Sequence, residues 1–324
     1  MTQLIMAAAL LLLAAARIPA MRRTGKDAVF LAAAFAGASS LLLSPLVYIP
    51  VDTAVGGINL TKLVLNSLMM VGLWYLRAAI LAAVSPDADT RPLWLQRLPL
   101  LIALAVQAAA FFLAGLSATT TVWAGNGDHP LPTAIFAITL VAFVAWSCGE
   151  ITWTCFRYVP RMRSAFRIGF SMVGTGALLA VLTMLKMSID VLGTAVPSLY
   201  PFEGDLAHTN YAPLEMAAVT LVGIGLTIPA LAGRADRARA AGAERLALEK
   251  VRPIWDRVLK DADMERMLKS DDAAAPAEQL HRMLIEIWDA DLAVGPRRSA
   301  LTTEDREYLL SVEAFLDKSP AAAK

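Results

Sequence analysis

The sequence has few charged residues and few cysteines. Only 18% of its 324 residues are charged, whereas about a quarter is usual in a soluble domain. Its two cysteines, Cys148 and Cys155, lie in one apolar stretch, so they cannot staple a secreted scaffold and are predicted to be buried small hydrophobes. The formal net charge of +1 gives no reason to expect nucleic acid as a partner.

The usual signatures of catalysis and metal binding are also missing. The three histidines, His129, His208 and His281, have no metal-ligating residue three or four positions later. The sequence contains neither a phosphate-binding lysine loop nor a Gly-x-Ser-x-Gly nucleophile motif. We therefore predict no metal, no cofactor and no enzymatic activity.

What the sequence does contain is apolar, and it is unevenly distributed. Hydrophobic residues make up 57% of the chain, and the mean hydropathy is +0.56. Residues 1–233 contain 23 charged residues, whereas the 91 residues of 234–324 contain 34. This contrast excludes one soluble globular domain and predicts a membrane domain over 1–233, followed by a small helical domain over 234–324.

Seven stretches approach the roughly 20 apolar residues that a membrane-spanning helix needs. They lie near 2–20, 28–49, 59–84, 98–122, 133–156, 165–194 and 212–233. In the first, no basic residue precedes the apolar residues from Leu4 to Ala16, which favours a span over a signal peptide. The sequence thus predicts an all-α polytopic membrane protein with seven transmembrane helices.

Basic residues in the connections predict the orientation of these spans. The segments 17–27, 85–98 and 156–167 contain ten Lys and Arg residues, whereas the alternate connections contain none. Because cytoplasmic loops are enriched in Lys and Arg, the N-terminus is predicted outside and the charged tail in the cytoplasm of a plasma-membrane protein.

Polar residues recur on single faces of several predicted spans, and such residues usually face a bundle interior. Near the predicted outer side we expect a ligand-binding cluster of Asp52, Asn59, Lys62, Asn66, Lys186, Asp190 and Glu215. Lys186 and Asp190 are spaced i, i+4 and are predicted to pair. The cluster fits a small zwitterionic or polar ligand, and it equally fits a salt-bridge network that joins helix ends.

Two further charged residues lie deep in the predicted spans. Arg77 lies roughly 27 Å and Glu150 roughly 26 Å below the outer ends of their helices, at about 1.5 Å per residue. We predict that they pair, or that each reaches another polar partner. The alternative for Arg77 is that it extends to the inner headgroups.

The last outer connection, 196–211, is aromatic, acidic and interrupted by prolines. Tyr200, Phe202 and Tyr211 suit an aromatic belt at the headgroups, or a lid over a ligand pocket.

The tail alternates helical segments with turn signals. Apolar residues recur at helical spacing over 251–259, 280–288 and 309–316, and 270–277 has the composition of a linker. Thr302 and the acidic residues after it suggest a capped helix start. A domain of about 80 residues is marginal alone, so we expect it to dock on the basic loops, form a homo-oligomer or bind a cytoplasmic protein.

Two tail motifs carry a resemblance to a known family. They are Arg252-Pro-Ile-Trp255 and Leu280-His-Arg-Met-Leu-Ile-Glu-Ile-Trp-Asp289, supported by Asp52, Gly57, Asn59 and Leu60. The chain resembles a family of actinobacterial seven-span membrane proteins described as transporters, whose tail is a domain of unknown function. His281, Trp288 and Ala290 stand where that family has tyrosine, arginine and glycine.

The resemblance implies that the tail binds a cytoplasmic regulator protein. The implied contacts are Arg252, Trp255, Arg282, Glu286 and Asp289. From the whole sequence we favour a receptor-like sensor that couples the outer cluster to the tail. The alternatives are a small-molecule transporter and a structural or assembly protein of the membrane.

Overall fold

The computed structural model describes residues 2–84, 93–115, 119, 130–195, 211–262, 275–295 and 299–317. Within these ranges every regular element is a helix, which confirms the all-α prediction. The helices are α1 (Thr2–Thr24), α2 (Ala28–Leu43), α3 (Pro45–Ala54), α4 (Leu60–Val84), α5 (Leu93–Ala114), α6 (Pro130–Tyr158), α7 (Ser164–Ala195), α8 (Ala212–Asp261), α9 (Pro276–Val294) and α10 (Thr303–Asp317), with one 3-10 turn at Val159–Arg161.

Several of these helices are long and apolar enough to cross a membrane. By length and composition six qualify in the described part of the chain, namely α1, α4, α5, α6, α7 and α8. The bent pair of α2 and α3 makes a seventh if it counts as one span. These helices are those of a multi-pass membrane protein, as the apolar stretches predicted.

The second predicted span is broken rather than continuous. α2 ends at Leu43, and α3 begins at Pro45 after a bend of 84°. Proline has no N–H to bond within a helix, and it disfavours helical geometry in the residue before it. Ser44 accordingly adopts an extended conformation, with φ −68° and ψ 127°. The stretch near 28–49 therefore consists of two helices joined at this Ser-Pro step, and a single span there stays a prediction.

The described residues divide into two compact units, Met1–Pro229 and Ala230–Lys324. In the first, α4, α6 and α7 share an apolar core. Its buried members are Ile80, Val144, Cys148, Ile151, Cys155, Phe170, Val173 and Ala177. Both cysteines are free and buried here, as predicted.

Helices α7 and α8 approach each other closely through two glycines. A Cβ at Gly225 would lie 2.6 Å from the carbonyl oxygen of Gly169, and a Cβ at Gly169 would lie 2.6 Å from that of Gly225. Real Cβ atoms essentially never make such short contacts, so only hydrogen fits on both sides. Small residues permit this close backbone packing between membrane helices.

The second unit is built from the end of α8 together with α9 and α10. Its buried core contains residues of the three segments whose helical spacing the sequence showed, together with Ala247, Ala290 and Leu301. The residues from the three segments are Val251, Ile254, Trp255, Val258, Leu259, Leu280, Met283, Leu284, Ile287, Leu309 and Val312. The unit begins at residue 230, four residues before the predicted boundary. This position lies within α8, which continues without a break from the first unit into the second.

Helix α10 begins with the cap that the sequence suggested. The Asp305 N–H donates to Thr302 Oγ1 at 3.1 Å, and the Thr302 N–H donates to Asp305 Oδ2 at 3.0 Å. This reciprocal arrangement satisfies two backbone donors at the helix start. Burial alone would raise the pKa of Asp305, but hydrogen bonds from Thr302 and the charge and hydrogen bond of Arg257 outweigh it and lower the pKa below its usual value.

Replacing Gly225 by alanine is expected to destabilise the first unit. The new methyl group would press on the Gly169 carbonyl, and overpacking of this kind costs about 1–3 kcal/mol. Thermal unfolding of the full chain in lipid nanodiscs should show a lower Tm. Gly223→Ala is the control on the same helix, since a Cβ there meets nothing within 4 Å. Equal Tm values for the two variants would contradict the close α7–α8 approach.

The cap of α10 should make that helix sensitive to acid. A carboxyl whose pKa is lowered by folding stabilises the fold above its unfolded pKa of about 3.9 and loses this contribution as the pH falls through the folded value. Asp305→Asn should therefore speed hydrogen exchange of α10 amides more at pH 6 than at pH 3. The exposed Glu313, replaced by Gln, serves as control. An equal effect of Asp305→Asn at both pH values would argue against the charged cap.

Candidate functional site

A turn between α3 and α4 is held together by one buried carboxylate. Asp52 is fully buried, and its oxygens accept the N–H of Asn59 at 3.0 Å, the N–H of Thr61 at 3.1 Å and the hydroxyl of Thr119 at 2.7 Å. Asn59 has φ +60°, and its side-chain oxygen accepts the Tyr48 hydroxyl at 2.8 Å. The turn thus fixes the start of α4 through hydrogen bonds to Asp52.

The prediction placed Asp52 and Asn59 among the ligand contacts, and the structure gives them a different position. Neither residue lines the internal cavity described below. Three donors already bond to the Asp52 carboxylate, and a buried charge usually requires hydrogen bonds of this kind. We interpret both residues as supports of the site rather than contacts to a ligand.

Beside this turn, the first unit encloses a cavity of about 230 Å³. Three of the predicted cluster residues line it, Lys62 and Asn66 from α4 and Glu215 from the first turn of α8. These side chains come from helices whose starts are far apart in the sequence. The cavity therefore brings together a cation, an amide and a carboxylate, surrounded by the apolar walls of the bundle.

Further polar groups on the same wall are already occupied. Tyr48 bonds Asn59, the Ser39 hydroxyl donates to the Leu65 carbonyl at 2.8 Å, and the Thr183 hydroxyl donates to the Leu179 carbonyl at 2.9 Å. Hydroxyls on membrane helices often bond their own or a neighbouring backbone.

Asn66 differs from these groups. It is 3% exposed, and its Nδ2 donor has no hydrogen-bond partner among the described residues. An unsatisfied buried donor costs about 1–3 kcal/mol, so such groups are uncommon in native structures. Asn66 thus brings an unpartnered amide to the residues that line the cavity.

Lys186, another predicted cluster member, does not line this cavity. Its ammonium donates to the Tyr211 hydroxyl at 3.1 Å and lies 4.8 Å from the centre of the Tyr211 ring. The predicted Lys186–Asp190 pair stays a prediction, because the Asp190 side chain lies outside the description. Tyr200 and Phe202 of the proposed belt or lid also lie outside the described residues.

A second, smaller cavity adjoins the first. It has a volume of about 130 Å³, and its lining is apolar. The two cavities share wall residues from α2, α4, α6, α7 and α8: Ser40, Met69, Leu73, Cys148, Ala180, Ala218 and Val219. Beyond this shared wall the lining continues to Leu226 of α8. Polar groups therefore occupy one end of the paired cavities, and hydrocarbon side chains line the rest.

Arg77 and Glu150, predicted to lie at one depth, form a two-point ion pair. Arg77 Nε donates to Glu150 Oε2 at 2.7 Å, and its Nη2 donates to Oε1 at 2.8 Å. Trp74 and Trp146 flank the guanidinium, with ring centres 5.0 and 5.1 Å from its carbon. This arrangement combines a bidentate pair with two cation–π contacts.

The predicted tail contacts divide into buried and accessible residues. The Trp255 indole donates to the Glu286 carboxylate at 2.7 Å, and both residues are 7% exposed. They hold α8 to α9 inside the second unit, and their contact with a partner protein stays a prediction. Arg252 and Asp289 are exposed, while the half-buried Arg282 pairs with Glu278 at 2.6 Å.

Sequence reasoning missed several residues that complete these sites. Trp74 and Trp146 lie one helical turn before Arg77 and Glu150, so their spacing was a usable signal. Tyr48 and Thr119 reach their partners across 11 and 67 residues, and no local pattern indicates such contacts.

The described residues contain no group of three or more His, Cys, Asp or Glu side chains that could hold a metal ion. Comparison of the chain with protein-family models, curated proteins and solved structures found no match. The resemblance to actinobacterial seven-span proteins therefore stays a prediction.

The Arg77–Glu150 pair predicts a strong preference for arginine. Arg77→Lys keeps the charge but loses the bidentate fork, and we expect a loss of about 1–3 kcal/mol with a lower Tm. Arg77→Met should cost more, about 3–5 kcal/mol, because it leaves Glu150 unpaired. The exposed Arg22, replaced by Lys, is the matched control. A Tm for Arg77→Lys equal to that of the control would show that the two-point geometry contributes nothing.

Proposed function

We propose that the protein is a receptor-like sensor of the plasma membrane. A ligand enters the cavity lined by Lys62, Asn66 and Glu215 and shifts the population of α8 conformations. The helical unit of residues 230–324 lies in the cytoplasm and passes this change to a regulator protein. A ligand can shift such an equilibrium only through different contacts in the two states, and Glu215 supplies the difference.

One observation carries this proposal. Helix α8 begins with Glu215 on the cavity wall and ends in the second unit, where Trp255 belongs to the apolar core. One continuous helix thus contributes both to the ligand cavity and to the core of the tail. The ten basic residues of alternate connections support the cytoplasmic side for that tail.

The exposed face of the second unit supports a protein partner. Arg252 and Asp289 are exposed, and they present one positive and one negative charge to a partner protein. Arg282 is half-buried and pairs with Glu278. Trp255 and Glu286 support that face from inside. Replacement of Arg252 and Asp289 should therefore weaken partner binding without unfolding the unit.

Hydrogen exchange of the full chain in nanodiscs tests the coupling. Glu215→Gln should change exchange of the core amides in 251–259 and 283–290 by about threefold or more, because it alters the α8 equilibrium. Thr220→Val is the control, an exposed position on the same helix. If neither Glu215→Gln nor Lys62→Met alters tail exchange, the coupling fails and the sensor with it.

The adjoining cavities favour transport as the second candidate. The two cavities share a wall, and together they run from the polar end into the apolar interior at Leu226. Such a continuous space is the beginning of a path through the bundle. Proteoliposomes loaded with an ion gradient discriminate the two functions. Sustained gradient-driven uptake of a solute by wild type, lost in Lys62→Met, would establish transport in place of sensing.

A further inference from the structure

The paired cavities have the amphipathic character of a particular ligand class. Their charged and amide groups are Lys62, Asn66 and Glu215, and apart from a few hydroxyls and the Cys148 thiol the rest of the wall is hydrocarbon and thioether. Met69, Met184 and Met187 line the larger cavity. Methionine side chains are flexible and polarisable, so they adapt to apolar ligands of varied shape.

The polar end of the cavities contains both a cation, Lys62, and a carboxylate, Glu215, so it is complementary to a ligand that has both a negative and a positive group. The Glu215 carboxylate is half-buried on the wall and makes no ion pair or hydrogen bond with the described residues. The Lys62 ammonium lies in the field of Asp52 and has three N–H donors, so it can serve more than one acceptor. Asn66 adds its unpartnered Nδ2. A cationic group suits Glu215, and an anionic oxygen group suits Lys62 and Asn66.

The volumes limit the apolar part. A dry engineered cavity of about 150 Å³ holds benzene. Cavities of about 230 and 130 Å³ suit a headgroup with one alkyl chain better than a headgroup with two acyl chains.

We infer that this site binds a single-chain amphiphile with a zwitterionic headgroup. Its ammonium contacts Glu215, its phosphate or carboxylate contacts Lys62 and Asn66, and its chain follows the shared wall at Ala180 and Val219. This inference rests on the proposed function, in that it names the class of molecule that the sensor detects.

Native mass spectrometry of the full chain, released from nanodiscs, tests this class. The probes are a lysophosphatidylethanolamine with a chain of about ten carbons, decyl phosphate without an ammonium group, and phosphoethanolamine without a chain. Wild type should retain one lysophosphatidylethanolamine per chain, with at least tenfold higher affinity than for either other probe. Equal binding of decyl phosphate would overturn the zwitterionic headgroup, and equal binding of phosphoethanolamine would overturn the chain.

Substitutions assign the contacts. Glu215→Gln should weaken lysophosphatidylethanolamine about tenfold and leave decyl phosphate within twofold, because only the former has an ammonium group. Lys62→Met and Asn66→Leu should weaken both, and Ala180→Phe should exclude both by filling the shared wall. Lys186→Gln, which removes a cation away from the cavity, is the control. Unchanged binding in Glu215→Gln and Asn66→Leu, with Tm preserved, would overturn the site.

The two proposals fail in different ways. If these probes do not bind while Glu215→Gln still alters exchange in the tail, the ligand class is wrong and the sensor stands. If the amphiphile binds at Glu215 and tail exchange does not respond to it, the binding site stands and the sensor is wrong.

Discussion

This structure depends on one constraint: each polar group inside the apolar bundle needs a partner. A charge or amide inside hydrocarbon is costly unless another group satisfies it. Asp52 meets this requirement with three donors, and Arg77 meets it with Glu150 and two indole rings. Among the described residues, Asn66 Nδ2 has no partner, and neither do the buried Gln107 amide and Ser147 hydroxyl. Of these three residues, Asn66 alone lines the candidate site.

The bend between α2 and α3 prepares the site. Because Pro45 ends the first segment, α3 turns by 84° and presents Tyr48 to Asn59 and Asp52 to the start of α4. The resulting turn fixes where α4 begins, and with it the positions of Lys62 in its first turn and Asn66 in its second. The support and the cavity wall are thus consecutive parts of the same chain segment.

Local patterns predicted the parts of the fold that local physics determines. Apolar length indicated the spans, helical spacing indicated the tail core, and Thr302 with Asp305 indicated the start of α10. The pairing of Arg77 with Glu150 was predictable from their similar depth, because the helical rise per residue converts sequence position into position along a helix. Long-range pairing was less accessible. Trp255 and Glu286 looked like surface contacts, and only the fold shows the indole donating to the carboxylate inside the core.

The close crossing of α7 and α8 has a mechanical consequence. Side chains that interlock at a helix crossing must leave their grooves before one helix can move past the other. At Gly169 and Gly225 the nearest atoms are the carbonyl oxygens of the facing glycines, and the side chains of Pro229 and Val173 lie directly beside them. The glycines therefore bring the two backbones together, while Pro229 and Val173 hinder α8 from sliding along its own axis past α7.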